Sequence, residues 1–107
     1  MIRKAIVYRT ASGAEPYAEY VDSMRDRDGA ARIRARVTRA QLENLGDHKR
    51  VGGGVIELRV NFGPGYRVYL GLHGGELIVL LCAGDKAAQR ADIRLAQGYW
   101  DDFRKGI

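Results

Sequence analysis

The sequence predicts an α+β domain in the order strand, helix, helix, three strands, helix, with a mostly antiparallel sheet and the helices packed on one of its faces. Three observations carry this reading. Residues 55–61, 66–72 and 76–83 are apolar or alternating runs joined by FGPG and HGG, which is turn chemistry. Consecutive strands with such short turns form an antiparallel meander. Segments of helical periodicity stand on both sides of the meander and give the sheet something to bury against. The chain has 107 residues, of which 46% are hydrophobic, so residues 1–107 suit one domain with one core.

The elements follow in order. KAIV and the tyrosine after it, residues 4–8, form a short β-branched and aromatic strand. Ser12 precedes Glu15 by three residues, the spacing of a capping box, and Pro16 falls in the first turn of a helix over residues 13–27. Tyr17, Tyr20, Val21 and Met24 share one face of it. Asp28 and Gly29 read as a break before a second helix over residues 30–45. Ile33, Val37 and Ala40 give that helix an apolar stripe, and Arg32, Arg36, Arg39 and Glu43 line another face. Such a basic stripe is a solvated face, or else it meets an RNA backbone or an acidic protein. Residues 46–54 (GDHKRVGGG) read as a polar loop carrying His48, Lys49 and Arg50. It lacks the spacing of a nucleotide-phosphate loop. Asp85 caps a last helix over residues 86–104, whose Ile93, Ala96, Trp100 and Phe103 make a core face.

Composition narrows the function. The formal net charge is +5, which favours a polyanion or an acidic protein as partner. The single cysteine, Cys82, excludes a disulfide or cysteine metal cluster within the chain and reads as a buried, inert thiol. The first residues hold no apolar stretch of signal-peptide length, and no run approaches the ~20 apolar residues of a membrane span. The expectation is a soluble, cytoplasmic protein without a membrane partner.

Alternation along the strands places the charges. Ile56, Leu58 and Val60 point one way, and Glu57, Arg59 and Asn61 the other. In the next strand Val68, Leu70 and Leu72 oppose Arg67 and Tyr69. The third is apolar on both sides and reads as central or covered on both faces. Lys86 emerges at its end, beside a helix N-terminus that favours anions. Arg59, Arg67 and Lys86 therefore converge on one patch if the strands are neighbours, although pairing of Arg59 with Glu57 is the simpler reading of that residue. A fixed cationic patch suits a phosphodiester. RNA supplies its own nucleophile in the 2′-hydroxyl, and arginines stabilise the phosphorane through paired N–H donors. A lysine crowded by arginines serves as acid or base. His48 is a proton shuttle if its loop folds over the patch, and His73 reads as structural. Two distant histidines and scattered carboxylates show no metal-ligand spacing, no cofactor is called for, and no serine sits in a nucleophile motif.

These same segments carry a resemblance. Residues 55–59 (VIELR), 65–69 (GYRVY), 80–86 (LLCAGDK) and 89–93 (QRADI) resemble the RelE/ParE toxins of bacterial toxin–antitoxin modules, in the HigB-like "addiction module killer" branch. The resemblance spans nearly the whole chain and is strongest over residues 50–100. It implies a RelE-like, microbial-ribonuclease-like fold. It implies a metal-independent, ribosome-dependent mRNA endonuclease that inhibits translation and is neutralised by a cognate antitoxin of helix-turn-helix type, through which alone operator DNA is bound. By position, Arg67 matches the phosphate-stabilising arginine, Arg59 a strand-borne group for proton transfer or charge stabilisation, and Lys86 the basic residue after the last strand. His48, Lys49, Arg50, Tyr66 and Tyr69 are the expected RNA contacts. An acidic or amphipathic antitoxin segment is expected on the basic patch or on Arg32, Arg36 and Arg39. The chain departs from the pattern in two places: Ala91, Asp92 and Ile93 stand near where RelE nucleases carry a tyrosine, and Glu57 stands where some relatives carry lysine. A ParE-like toxin acting on DNA gyrase, or an inactive member of such a module, is the alternative.

Overall fold

A computed structural model describes residues 2–106. The elements are β1 (Lys4–Val7), α1 (Pro16–Ser23), α2 (Arg27–Gln41), β2 (His48–Arg50), β3 (Val55–Val60), β4 (Tyr66–His73), β5 (Leu77–Asp85), a 3₁₀ turn (Lys86–Ala88) and α3 (Gln89–Lys105). They build one mixed five-stranded sheet in the order β1-β5-β4-β3-β2, with β1 parallel to β5 and the other pairs antiparallel. The α+β class stands, but the order gains a strand. Residues His48–Arg50, expected in a loop, pair with β3 as a fully exposed edge. With no apolar residue, this strand shows no hydrophobic alternation to read.

Helices cover both faces of the sheet, which corrects the expectation of one. The first core joins Tyr17 and Val21 of α1 and Ile33, Val37 and Ala40 of α2 to Ile56, Leu58, Val60, Val68, Leu70, Ile78 and Leu80. The second joins Ala96 and Trp100 of α3 to Val55, Tyr69, Val79, Leu81 and Cys82. β5, buried on both sides, separates the two, as its continuous apolar run requires. Gly71 lets the Trp100 ring lie against β4, since a Cβ there would enter the ring.

Local signals fared unevenly. Asp85 does cap the turn before α3, accepting from Ala88 N–H at 3.1 Å. The capping box at Ser12 does not form. Glu15 occupies the N-cap with no side-chain cap bond, Pro16 opens α1, and Thr10 Oγ1 accepts from Ala14 N–H at 3.0 Å. The break between helices lies at residues 24–26, before Asp28. Asp26 is the N-cap of α2, and its Oδ1 accepts from Gly29 N–H at 2.9 Å, so Gly29 lies inside the helix.

One irregularity positions the site. The β4–β5 register shifts between Tyr69 and Leu70, so that Tyr69 faces Cys82 while Leu70 faces Leu80. Leu81 is the extra residue of this bulge, and it resets the alternation. Leu81 and the following Cys82 both face the second core. Past the bulge, Gly84 therefore comes to lie on the α3 side, opposite Arg67.

Candidate functional site

Two cross-strand rungs under the head of α3 carry the charged groups. Glu57 pairs with Tyr69, and Arg59 pairs with Arg67. All four point away from the first core, because their neighbours Ile56, Leu58, Val68 and Leu70 fill it.

Glu57 is the centre and is fully buried. Its Oε1 accepts from Arg59 Nε at 3.2 Å. Its Oε2 accepts from Tyr69 Oη at 3.1 Å and from Gln89 Nε2 at 2.9 Å. Arg67 Nε stands 3.8 Å from the same oxygen, within ion-pair reach but too far for a hydrogen bond, so that buried N–H is unused. Arg67 is anchored instead by Nη1, which donates to Gly65 O at 2.7 Å. The Arg59 side chain keeps 35% of its surface exposed against 12% for Arg67, so a ligand meets Arg59 first. Burial and the charge of Glu57 together push the Tyr69 hydroxyl far above its ordinary value.

Lys86 opens the 3₁₀ turn and flanks this group. A Cβ placed on Gly65 would lie 3.1 Å from Arg67 Nη1 and 3.6 Å from Lys86 Cβ, so the lysine stem and the Arg67 guanidinium border the same point. Arg59 and Arg67 thus meet at Glu57 on the face that the alternation predicts, with the stem of Lys86 beside Arg67. Lys49, the β2 partner of Glu57, adds an exposed cation on the same face.

Other expected contacts do not join them. His48 and Arg50 pair with Leu58 and Ile56 and so lie on the α1/α2 side; His48 Nδ1 sits 2.8 Å from Gly46 O, which removes it as a shuttle for this group. Tyr66 also faces the first core, 6% exposed, and its hydroxyl donates to Asp26 at 2.6 Å. Tyr69 shares the site but is wholly buried, so it cannot stack on a base. The arginine stripe on α2 is interrupted as well. Arg36 turns inward and donates to the carbonyls of Arg59, Leu45 and Asp47 at 3.0, 2.9 and 3.0 Å, so that of the three only Arg32 and Arg39 stay exposed.

Two members of the site come from α3. Gln89 seals Glu57, and Asp92 lies against Gly84 with a buried Oδ2 that accepts no hydrogen bond. Burial, then the charge of Asp85, raises the Asp92 carboxyl. The signal for both was the core stripe of α3. Gln89 precedes Ile93 by four residues, and extending the stripe back one turn puts a polar side chain on the sheet. Cys82 is buried as expected, and its thiol is pushed up to about 12 by burial and then by Asp92.

Fold and site together define a basic α+β protein whose sheet holds one buried carboxylate between two arginines, with further cations at its rim. No family model matches the chain. It belongs to the family of an uncharacterized protein of Haemophilus influenzae, with which it is 42% identical over 81 residues, covering 76% of this chain and 82% of the relative. Among the described residues no helix is long and apolar enough to cross a membrane.

Proposed function

We propose that this protein is the toxin of a toxin–antitoxin pair, a RelE-like endoribonuclease that cuts mRNA on the ribosome in the cytoplasm and is neutralised by a cognate antitoxin. The observation that carries the reading is the rung Arg59–Arg67 beside Glu57, with Lys86 at its edge. Glu57 offsets one of the two guanidinium charges and fixes the direction of both forks. The exposed part of Arg59 and the small exposed part of Arg67 then remain for a phosphate. Donors preset around the developing phosphorane charge stabilise the transition state without reorganisation. The substrate's 2′-hydroxyl gives up its proton to solvent as its oxygen bonds to phosphorus, and the bond from phosphorus to the 5′-oxygen breaks. Lys86, whose stem borders Arg67, is the group proposed to protonate the departing 5′-oxygen. The finer RelE-like fold is supported by the paired N-terminal helices, the β3–β5 meander and the closing α3.

The test is expression in cells with transcript ends mapped by primer extension. The wild-type chain is expected to produce ends within translated codons, and Arg67→Ala to abolish them while still binding antitoxin. Growth arrest with intact transcripts would defeat the nuclease reading, and altered DNA supercoiling would favour a gyrase-directed toxin instead.

A further inference from the structure

On the opposite face of the sheet, a groove of about 350 Å³ runs between α2 and β3. Four arginines, Arg32, Arg36, Arg39 and Arg59, and one carboxylate, Asp47, line it. Arg59 contributes its backbone here, since its carbonyl accepts from Arg36 while its side chain reaches Glu57 on the other side. The groove is thus separate from the candidate catalytic group, with the sheet between them.

Arg36 is the fixed part. It is 7% exposed, and three carbonyls hold its Nε and Nη2. Its Nη1 is buried and has no hydrogen-bond partner. A buried guanidinium N–H without an acceptor is a standing cost, which a bound anion would remove. Arg39 comes to the same place. A Cβ on Gly46 would lie 3.0 Å from Arg36 Nη1 and 3.2 Å from Arg39 Nη2. Gly46 is at φ +58, where glycine is favoured, and it leaves the space between the two guanidinium groups empty of side chain. Two like charges so placed repel, and burial followed by Arg39 pulls the Arg36 guanidinium below its ordinary value. Asp47 does not close the gap with its side chain, whose Oδ2 takes Asn61 Nδ2 at 3.5 Å. At the other end, the Arg32 guanidinium lies 4.2 Å above the centre of the Phe62 ring. That pair makes a flat wall of the kind on which a base stacks.

We propose that this groove is an exosite for single-stranded nucleic acid, with one backbone phosphate held by Arg36 and Arg39 and the adjoining base laid against Arg32 and Phe62. Guanidinium forks match phosphate oxygens in geometry and charge. The groove also falls within the roughly 300–1,000 Å³ that enclose a small ligand, enough for one nucleotide unit. The proposal concerns binding alone and stands whether or not the Glu57 group cleaves RNA.

Fluorescence anisotropy of a short labelled oligouridylate tests it, with the full chain, Arg39→Ala and Arg32→Ala, each also in the Arg67→Ala background. Arg39→Ala is expected to weaken binding about tenfold and to flatten the salt dependence in both backgrounds. Arg32→Ala should weaken the oligonucleotide while leaving competition by inorganic phosphate unchanged. Both residues are on the surface, so folding survives, whereas Arg36→Lys, followed by thermal melting, is the stricter variant. Unchanged affinity in Arg39→Ala would overturn the site. So would an Arg39 effect that vanishes in the Arg67→Ala background, because the groove would then be part of a single continuous surface. Inorganic phosphate competing as well as the oligonucleotide would make it a free-phosphate site. Oligoglutamate competing equally would make it a protein-docking site, and either result rejects the strand.

Discussion

Asp26 accepts from Tyr66 Oη at 2.6 Å and from Gly29 N–H at 2.9 Å, and these bonds, Tyr66 first, hold its carboxyl below the ordinary 3.8. Asp92 has the opposite surroundings: its Oδ2 is buried without a donor, and its carboxyl is raised above 3.8. The linkage signs follow. Asp26 contributes stability that is present above 3.8 and is lost as pH falls through its lower folded value. Asp92 costs nothing below 3.8; as pH rises the unfolded chain ionises first, and the cost is complete above the folded value. Asp26→Asn is therefore expected to lower stability at neutral pH and to flatten the acid limb of the curve. Asp92→Asn is expected to raise stability at neutral pH and to flatten the slope just above 3.8. Urea denaturation across the acid range measures both, and two shifts of the same sign would contradict the assigned environments. Neither environment was legible from the residues alone. Asp26 depends on a hydroxyl forty positions away, and Asp92 on the strand bulge that brings Gly84 beneath it.

At the scale of elements, alternation was enough to place β3 and β4 and to sort Arg59 and Arg67 from the core, because each strand buries one apolar set per face. The stripe of α3 was equally legible, and Ala96 and Trp100 are buried as it requires. What alternation could not show was which face α3 covers, since its stripe fits either side of a sheet whose central strand is apolar throughout. Nor could it show Arg36 turning inward, because helical spacing gives that residue the look of its exposed neighbours Arg32 and Arg39. Arg36 ties α2 to β3 and to the loop before β2 through three carbonyls. Arg36→Met keeps most of the volume and strips those carbonyls of their donor, so it is expected to cost about 2–4 kcal/mol. Arg39→Met, on the exposed side, is expected to stay within about 0.5 kcal/mol of the wild type. Chemical denaturation of the two variants gives the comparison, and equal losses would show that Arg36 is not a structural tie.

For the molecule as a whole, the sheet divides two unequal cores, and the candidate site belongs to the smaller one. α1 and α2 share the larger core with Ile56, Leu58 and Val60 of β3 and Val68 and Leu70 of β4, while α3 alone closes the other over Val55 and Tyr69. The head of α3 lays Gln89 on Glu57, and its middle holds the sheet through Ala96 and Trp100. Its far end is tied to the residue that follows β1, Tyr8, whose Oη donates to Asp102 at 2.6 Å. The seal over Glu57 thus depends on an anchor three turns away. Trp100 is 4% exposed and lies against Gly71 and Gly54, neither of which has a side chain to fill a void. Trp100→Ala should therefore leave a cavity that collapses poorly and cost about 3–5 kcal/mol. The loss should be local before it is global: amides of α3 are expected to exchange faster by a larger factor than those of α2, whose core the substitution does not touch. Hydrogen exchange followed by mass spectrometry resolves the two helices. Equal acceleration would mean that the cores unfold as one unit, and Gln89 could not then uncover Glu57 without melting the whole sheet.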